Sequence, residues 1–155
     1  MSLTGKTQPA GAARLRDSVL GGDLSFLLAR ANALTLAAAN AALAQHGLKA
    51  RSYSVLALAA DERRPTQREL AEFLRLDPSQ VVALVDDLER RGLVERRPDP
   101  ADRRANVLGA TDAGRALFAR ARESAHAVEL GRLAAVSPED HERLAELLRL
   151  LAFPA

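Results

Sequence analysis

No cysteine occurs in the 155 residues, so this chain can build no disulfide framework, thiolate metal site or thiol redox switch. That absence fits a reducing cytoplasm, which is the expected location. Histidine is almost as scarce: His46, His126 and His141 make no recognisable ligand spacing, and no metal or other cofactor is expected. Catalytic signatures are missing too. There is no His-Glu-x-x-His, nucleophile elbow, phosphate-binding loop or Cys/His pair, and His141-Glu142 lacks the second histidine. An enzyme is therefore not expected. Charge of one sign is in short supply as well. Net charge is only +2, although twenty arginines against two lysines (Lys6 and Lys49) raise the isoelectric point to about 9.6. Recognition of an acidic partner must rest on local clusters rather than on a bulk basic surface.

The N-terminus lacks the charged segment, apolar run and small-residue cleavage site of a secretory leader. Leu24 to Ala44 is the stretch that raises a membrane question. It is interrupted by Arg30, Asn32, Thr35 and Asn40 and is rich in alanine, so spanning is marginal and no membrane partner is expected. With 48% hydrophobic and 27% charged residues, the composition is that of a soluble globular chain.

What is present is a series of well-punctuated helices, centred on Asp77 to Gly92. Asp77 is a good N-cap, Pro78 suits the first helical position, and Gln80 is placed to reach back to the cap. Val81, Leu84, Val85 and Leu88 recur at helical spacing, and Gly92 stops the helix. The other face starts with Ser79, Gln80, Val82 and Ala83, small and amide side chains that fit a DNA major groove. Ahead of it, Thr66 and Glu69 make a capping box over a short helix that buries Leu70, Ala71, Phe73 and Leu74. A short helix, a tight turn and a strongly capped second helix form a helix-turn-helix. Residues 93–97 and 105–110 then read as two strands around a Pro- and Asp-rich turn, a wing.

Around this lie a flexible arm (1–22), a long helix capped by Asp23 (23–47) and two C-terminal helices (111–155) opened by Thr111 and Ser137. Ser52 is expected to cap a helix running to about Asp61. The winged module, residues 52–110, does not need the terminal helices to complete so small a fold, so their apolar stripes are expected to meet a second copy of the chain. The fold class is mainly α with a small β wing: a winged helix-turn-helix plus terminal dimerisation helices.

The strings TQRELAEFLRLDPSQVVALVDDLERRGLVERRPDPADRR (Thr66 to Arg104) and TDAGRAL (Thr111 to Leu117) resemble the MarR-type winged helix regulators of bacteria. The likeness runs from Asp23 to about Leu151. Its specificity lies in the ordered series of helix pair, L-x-x-R-G-L-V, D-R-R wing and T-x-x-G. The resemblance implies a homodimer joined through the first, fifth and sixth helices, with two DNA-reading lobes. It also implies control by a small, often phenolic or anionic, ligand held between lobe and dimer region. Two departures stand out: Ala110 precedes Thr111 where the family usually has leucine, and Gly109 sits in the second wing strand, which is expected to be short or irregular.

Ser79, Gln80, Val82 and Ala83 are the candidate base readers, Gln80 through a bidentate pair with adenine and Val82 and Ala83 through a thymine methyl. Thr66, Gln67, Arg75 and Arg90 are candidate phosphate contacts, which position without specifying. From Arg90 to Arg104 six arginines face three acids. By family analogy Asp102 braces the wing while Arg103 or Arg104 enters a narrow minor groove. Asp86 and Asp87 would repel phosphate and should turn to nearby arginines. Arg30, Asn32, His46, Arg51 and Tyr53 are candidate pocket residues, with Thr35 and Asn40 as further polar positions on the long helix. The leading function is a sequence-specific dimeric transcriptional regulator, a repressor released by its ligand, with double-stranded DNA of pseudo-palindromic sequence as partner. The alternative, allowed by the balanced charge, is a winged-helix protein–protein interaction module without a DNA operator.

Overall fold

The computed structural model describes residues 14–99, 102 and 104–154; Arg103 and most of the N-terminal arm lie outside them. The chain divides into two units, one ending at Ala37 and one beginning at Ala38. In the first, a short 3-10 turn at Val19–Gly22 precedes helix α1 (Leu24–Leu43), which continues across the boundary. Asp23 caps α1 as expected, its Oδ1 accepting the Phe26 amide at 2.7 Å. Leu24, Leu27, Leu28 and Leu34 stay 39–66% exposed on this helix. By length and composition, Leu24–His46 is also the one helical stretch among the described residues apolar enough to cross a bilayer, at a mean hydropathy of 1.3.

The second unit holds the core. A 3-10 turn, Ala44–His46, ends at Gly47, whose φ of 63° reverses the chain. Helix α2 (Ala50–Ala59) then starts three residues earlier than Ser52 as a cap would have it. Ser52 is instead inside the first turn, where its hydroxyl accepts the Lys49 amide at 2.9 Å. The Ala50 amide is satisfied by the Asn40 carboxamide at 2.8 Å, so a polar position on α1 helps cap α2. Helix α3 (Gln67–Leu74) and helix α4 (Pro78–Arg90) form the expected pair. Arg75 joins them in the left-handed conformation (φ 55°), and the Leu76 amide closes the end of α3 on Ala71 O at 3.0 Å.

Strands β1 (Val94–Pro98) and β2 (Asn106–Ala110) pair antiparallel over all five residues, Val94 opposite Ala110 and Arg96 opposite Leu108. The second strand is thus regular, contrary to expectation. Gly109 simply pairs with Glu95, and nothing crowds the space where its Cβ would stand. The outer edge of β2 is covered by the residue pair before α3: the Leu108 amide donates to Pro65 O at 2.8 Å and Thr66 bridges Val107. Covering that edge removes a row of unpaired backbone groups. Val55, Leu56, Leu70, Val81, Val85, Leu88, Val94 and Leu108 form one cluster between these elements, each at most 2% exposed. Helix α5 (Asp112–Leu133) adds Ala121 to it, while helix α6 (Pro138–Ala152) buries no residue.

The T-x-x-G signature has a direct physical cause. Thr111 caps α5 by accepting the Gly114 amide at 3.0 Å, and its own hydroxyl donates to Gly92 O at 2.7 Å. This draws the first turn of α5 onto the wing base so closely that a Cβ on Gly114 would sit 1.9 Å from Leu93 O, a backbone atom. Gly114→Ala must push α5 from the wing, and we expect a loss of about 1–3 kcal/mol. A lower urea midpoint at unchanged m-value is the expected result, and an unchanged midpoint would show that the junction yields without strain.

Candidate nucleic-acid interface and effector cleft

Helix α4 is fixed at its start by chemistry local to the chain. Asp77 Oδ1 accepts the Ser79 amide at 2.8 Å and the Ser79 hydroxyl at 2.5 Å, and Pro78 occupies the first helical position. Those two bonds hold the Asp77 carboxyl below its ordinary range, the hydroxyl contributing most. Gln80 takes no part in the cap. Its carboxamide bonds no described residue and it stands exposed, free to meet a base edge. Val81, Val85 and Leu88 are fully buried while Ser79, Gln80, Val82 and Ala83 share the opposite, solvent-facing side. The sequence therefore places the four candidate readers on one face.

The acidic half of α4 is neutralised within the protein, as expected for carboxylates near a phosphate backbone. Asp87 meets Arg90 at 2.9 Å and Arg91 at 3.5 Å, and Asp86 meets Arg96 at 2.5 Å. Arg90 is thus partnered, though exposed. Arg75 is exposed at the turn between the two helices, with a guanidinium that bonds none of the described residues. The Thr66 hydroxyl is engaged in both directions by Glu69, accepting its amide and donating to its carboxylate at 2.9 Å. The Thr66 amide, also donated to Glu69, is the main reason that carboxyl titrates low. Gln67 follows at the first turn of α3, half-buried.

In the wing, the Asp102 carboxylate accepts the Arg104 amide at 3.0 Å, and the Ala105 amide reaches back to Asp102 O at 2.9 Å. The Arg104 guanidinium remains exposed, with no bond to a described residue. Asp102 therefore braces the backbone that carries Arg104 rather than pairing with its charge. Arg103 lies outside the described residues.

The candidate pocket residues are dispersed. Arg30 and Asn32 are exposed on α1, and Arg51 is exposed on α2. His46 is tied down, its Nε2 2.9 Å from the Ser124 hydroxyl of α5. Tyr53 alone among them lines a cleft between α2 and α5, of about 690 Å³, together with Phe118, Arg122, His126 and Glu129. Its ring packs on Phe118 at 5.7 Å, and burial pushes its phenol above the ordinary value, so it stays a neutral donor. Sequence reasoning missed Phe118, Arg122 and His126. Their spacing of four residues on α5 was the available signal, since it puts all three on one helical face.

The cap at Asp77 gives a pH-dependent expectation. Its folded-state value is lowered, so the ionised carboxylate adds stability above the unfolded value of about 3.9 and loses it as pH falls through the folded value. The difference in melting temperature between the native protein and Asp77→Ala should be constant from about pH 5 to 8 and narrow below about pH 4. A gap that persists unchanged into strong acid would mean that the neutral carboxyl caps equally well.

Comparison with known proteins gives a consistent picture. A family model described as the MarR family matches residues 46–105. The crystal structure of a MarR-family transcriptional regulator from Rhodococcus sp. RHA1 superposes with a TM-score of 0.83 at 39% identity, covering 89% of this chain and 99% of that one. CouR from Rhodococcus jostii RHA1, in complex with p-coumaroyl-CoA, gives 0.81 at 40% identity over 89% of this chain and 97% of that one. A CouR transcriptional repressor bound to a 23-mer DNA duplex gives 0.74 at 28% identity, over 96% of this chain and 100% of that one. With a winged helix-turn-helix in place and likeness at this level across nearly its whole length, the chain belongs to the MarR family of transcriptional regulators.

Proposed function

We propose that this protein is a dimeric, sequence-specific repressor released from its operator by a small aromatic, anionic effector. The observation that carries the DNA-binding part is the exposed N-terminal face of α4. Ser79, Gln80, Val82 and Ala83 stand there over a fully buried Val81, Val85 and Leu88, beside a wing whose Asp102 braces Arg104. In this reading α4 enters the major groove, with Gln80 on adenine and Val82 and Ala83 near a thymine methyl. Arg104, with Arg103, follows the minor groove, and Gln67, Arg75 and Arg90 hold phosphates. Thr66 serves mainly by capping α3.

Residues 52–110 then form the DNA-binding module, and 23–47 and 111–155 supply the dimer helices. Support comes from their uncovered leucines: Leu144, Leu147, Leu148 and Leu151 on α6 are 40–63% exposed, a stripe wide enough to need a partner. A second copy is the occupant we assign to this stripe and to that of α1, whereas a bilayer would have to accommodate Arg30, Asn32 and Asn40 on α1. Two lobes related by a two-fold axis read half-sites about 34–36 Å apart. For the effector, the p-coumaroyl-CoA held by CouR supports an aromatic ligand with an anionic group. The cleft beside Tyr53 and Phe118 offers apolar faces and a phenol donor, with Arg122 and His126 for the negative charge. Its occupation would shift α5 against α2 and so change the lobe spacing.

The test is selection from a random duplex pool at physiological salt, followed by anisotropy titration of the winner. A pseudo-palindrome bound at least about 10³-fold tighter than scrambled DNA is expected. Arg104→Ala should weaken this binding without dissociating the dimer in sedimentation, and Arg75→Ala should also lower the slope of log K against log salt by about 1. p-Coumaroyl-CoA, used as a probe, should release the native protein from DNA but not a Phe118→Ala variant. If no sequence is enriched, the operator reading fails and the protein–protein module takes its place.

A further inference from the structure

Arg96 lies on β1 in a position that the DNA contacts do not account for. Along this strand Val94 and Arg96 share one face and Glu95 and Arg97 the other. The outer pair is satisfied by itself, Arg97 meeting Glu95 at 2.5 Å. The inner face begins with fully buried Val94, so Arg96 is turned toward the body of the protein, and its side chain is only 25% exposed. Both ends of its guanidinium are occupied by helix α4. One nitrogen meets Asp86 at 2.5 Å, the other bonds Glu89, and the Arg96 amide also donates to Glu89 Oε1 at 3.3 Å. Asp86 and Glu89 stand three residues apart and present a matched pair of acceptors to one planar fork.

We propose that Arg96 is a positioning residue that clamps the wing to the recognition helix, so that the two DNA-reading elements move as one body. The proposal rests on the DNA-binding reading given above. Both terminal nitrogens of the Arg96 guanidinium are engaged, and its charge is matched by two carboxylates inside the lobe. Both carboxylates lie on the C-terminal half of α4, away from Ser79 and Gln80, so the clamp leaves the reading end open. Other ties hold the base of the hairpin, Thr111 on the Leu93 carbonyl and Arg115 on the Ala110 carbonyl, and its other edge, through Leu108 to Pro65 and Val107 to Thr66. Without Arg96 the outer part of the wing would hinge about that edge and the base. Arg104 would then no longer reach its groove at a fixed distance from Gln80, and specificity at both places would be lost together. The native arrangement also keeps Asp86 and Glu89 from repelling the DNA backbone.

The deciding experiment uses the full chain and Arg96→Met, which keeps the apolar stem and removes the fork. Amide hydrogen exchange of the DNA-free protein should speed up across residues 94–98 and 106–110 and stay unchanged at Val55 and Val85. On the selected duplex, affinity should fall about tenfold, with the salt slope unchanged, and Arg104→Ala should cost less in the Arg96→Met background than in the native one. Arg96→Lys should recover part of the loss. Additive effects of the two substitutions together with unchanged exchange in the wing would overturn the proposal. So would a drop of about 1 in the salt slope, since that identifies Arg96 as a phosphate contact. Should Arg96→Met fail to fold, Asp86→Asn opens one half of the clamp and must give the same pattern, smaller. If the native protein selects no duplex, the DNA-binding reading fails and wing exchange alone decides whether the clamp exists.

Discussion

The carbonyl of Leu93 is where the DNA-facing elements are held to the helix behind them. It accepts the Thr111 amide at 3.0 Å and sits against the bare backbone of Gly114. On one side of this residue α4 has just ended, at Gly92 in the left-handed conformation. On the other, β1 begins. Recognition helix, wing and long helix therefore converge on two or three peptide units, and the absence of one methyl group allows it. Small displacements of α5 act on that junction at short range. In the proposed regulation, this would be the mechanical route from an effector in the α2–α5 cleft to the reading head.

Electrostatics divides α4 into two halves. Its N-terminal half carries no acid after the cap, and its amides point outward with the favourable end of the helix dipole. Its C-terminal half carries Asp86, Asp87 and Glu89, and three arginines, at 90, 91 and 96, absorb them. A net charge of +2 is thus compatible with DNA binding, because the acids near the interface are internally matched while Arg75 and Arg104 remain available. Total charge describes such a surface poorly. The distribution of pairs describes it well.

The terminal helices show the opposite economy. Their apolar residues are in excess of what one chain can cover: α6 buries none of its leucines, and α1 buries only Leu43 at its very end. Leaving such stripes in water is unfavourable at roughly 25 cal/mol per Å² of apolar surface, and in the proposed dimer their cover by a second copy would turn that penalty into a driving force for association. In that proposal, dimerisation and the presentation of two reading helices have a common origin.

The sequence by itself determined the local events. Asp23, Thr66, Asp77, Thr111 and Ser137 each cap the helix they were expected to cap, because a short polar side chain and the amides it satisfies are neighbours in the chain. The buried stripe of α4 and the exposed face of Ser79, Gln80, Val82 and Ala83 followed from periodicity alone. Ser52 misled, since a serine at the third helical position can bond the cap amide as readily as it can be the cap, and only the position of Asn40 against Ala50 settles which. What the tertiary structure decided are the contacts between residues far apart in sequence. These are the regular second wing strand, with Pro65 and Thr66 on its edge; the packing of Phe118 on Tyr53; the bond of His46 to Ser124; and the grip of Arg96 on two carboxylates of α4. Such contacts depend on where whole elements come to rest. That is set by the sum of many weak apolar contacts, which no short stretch of sequence encodes.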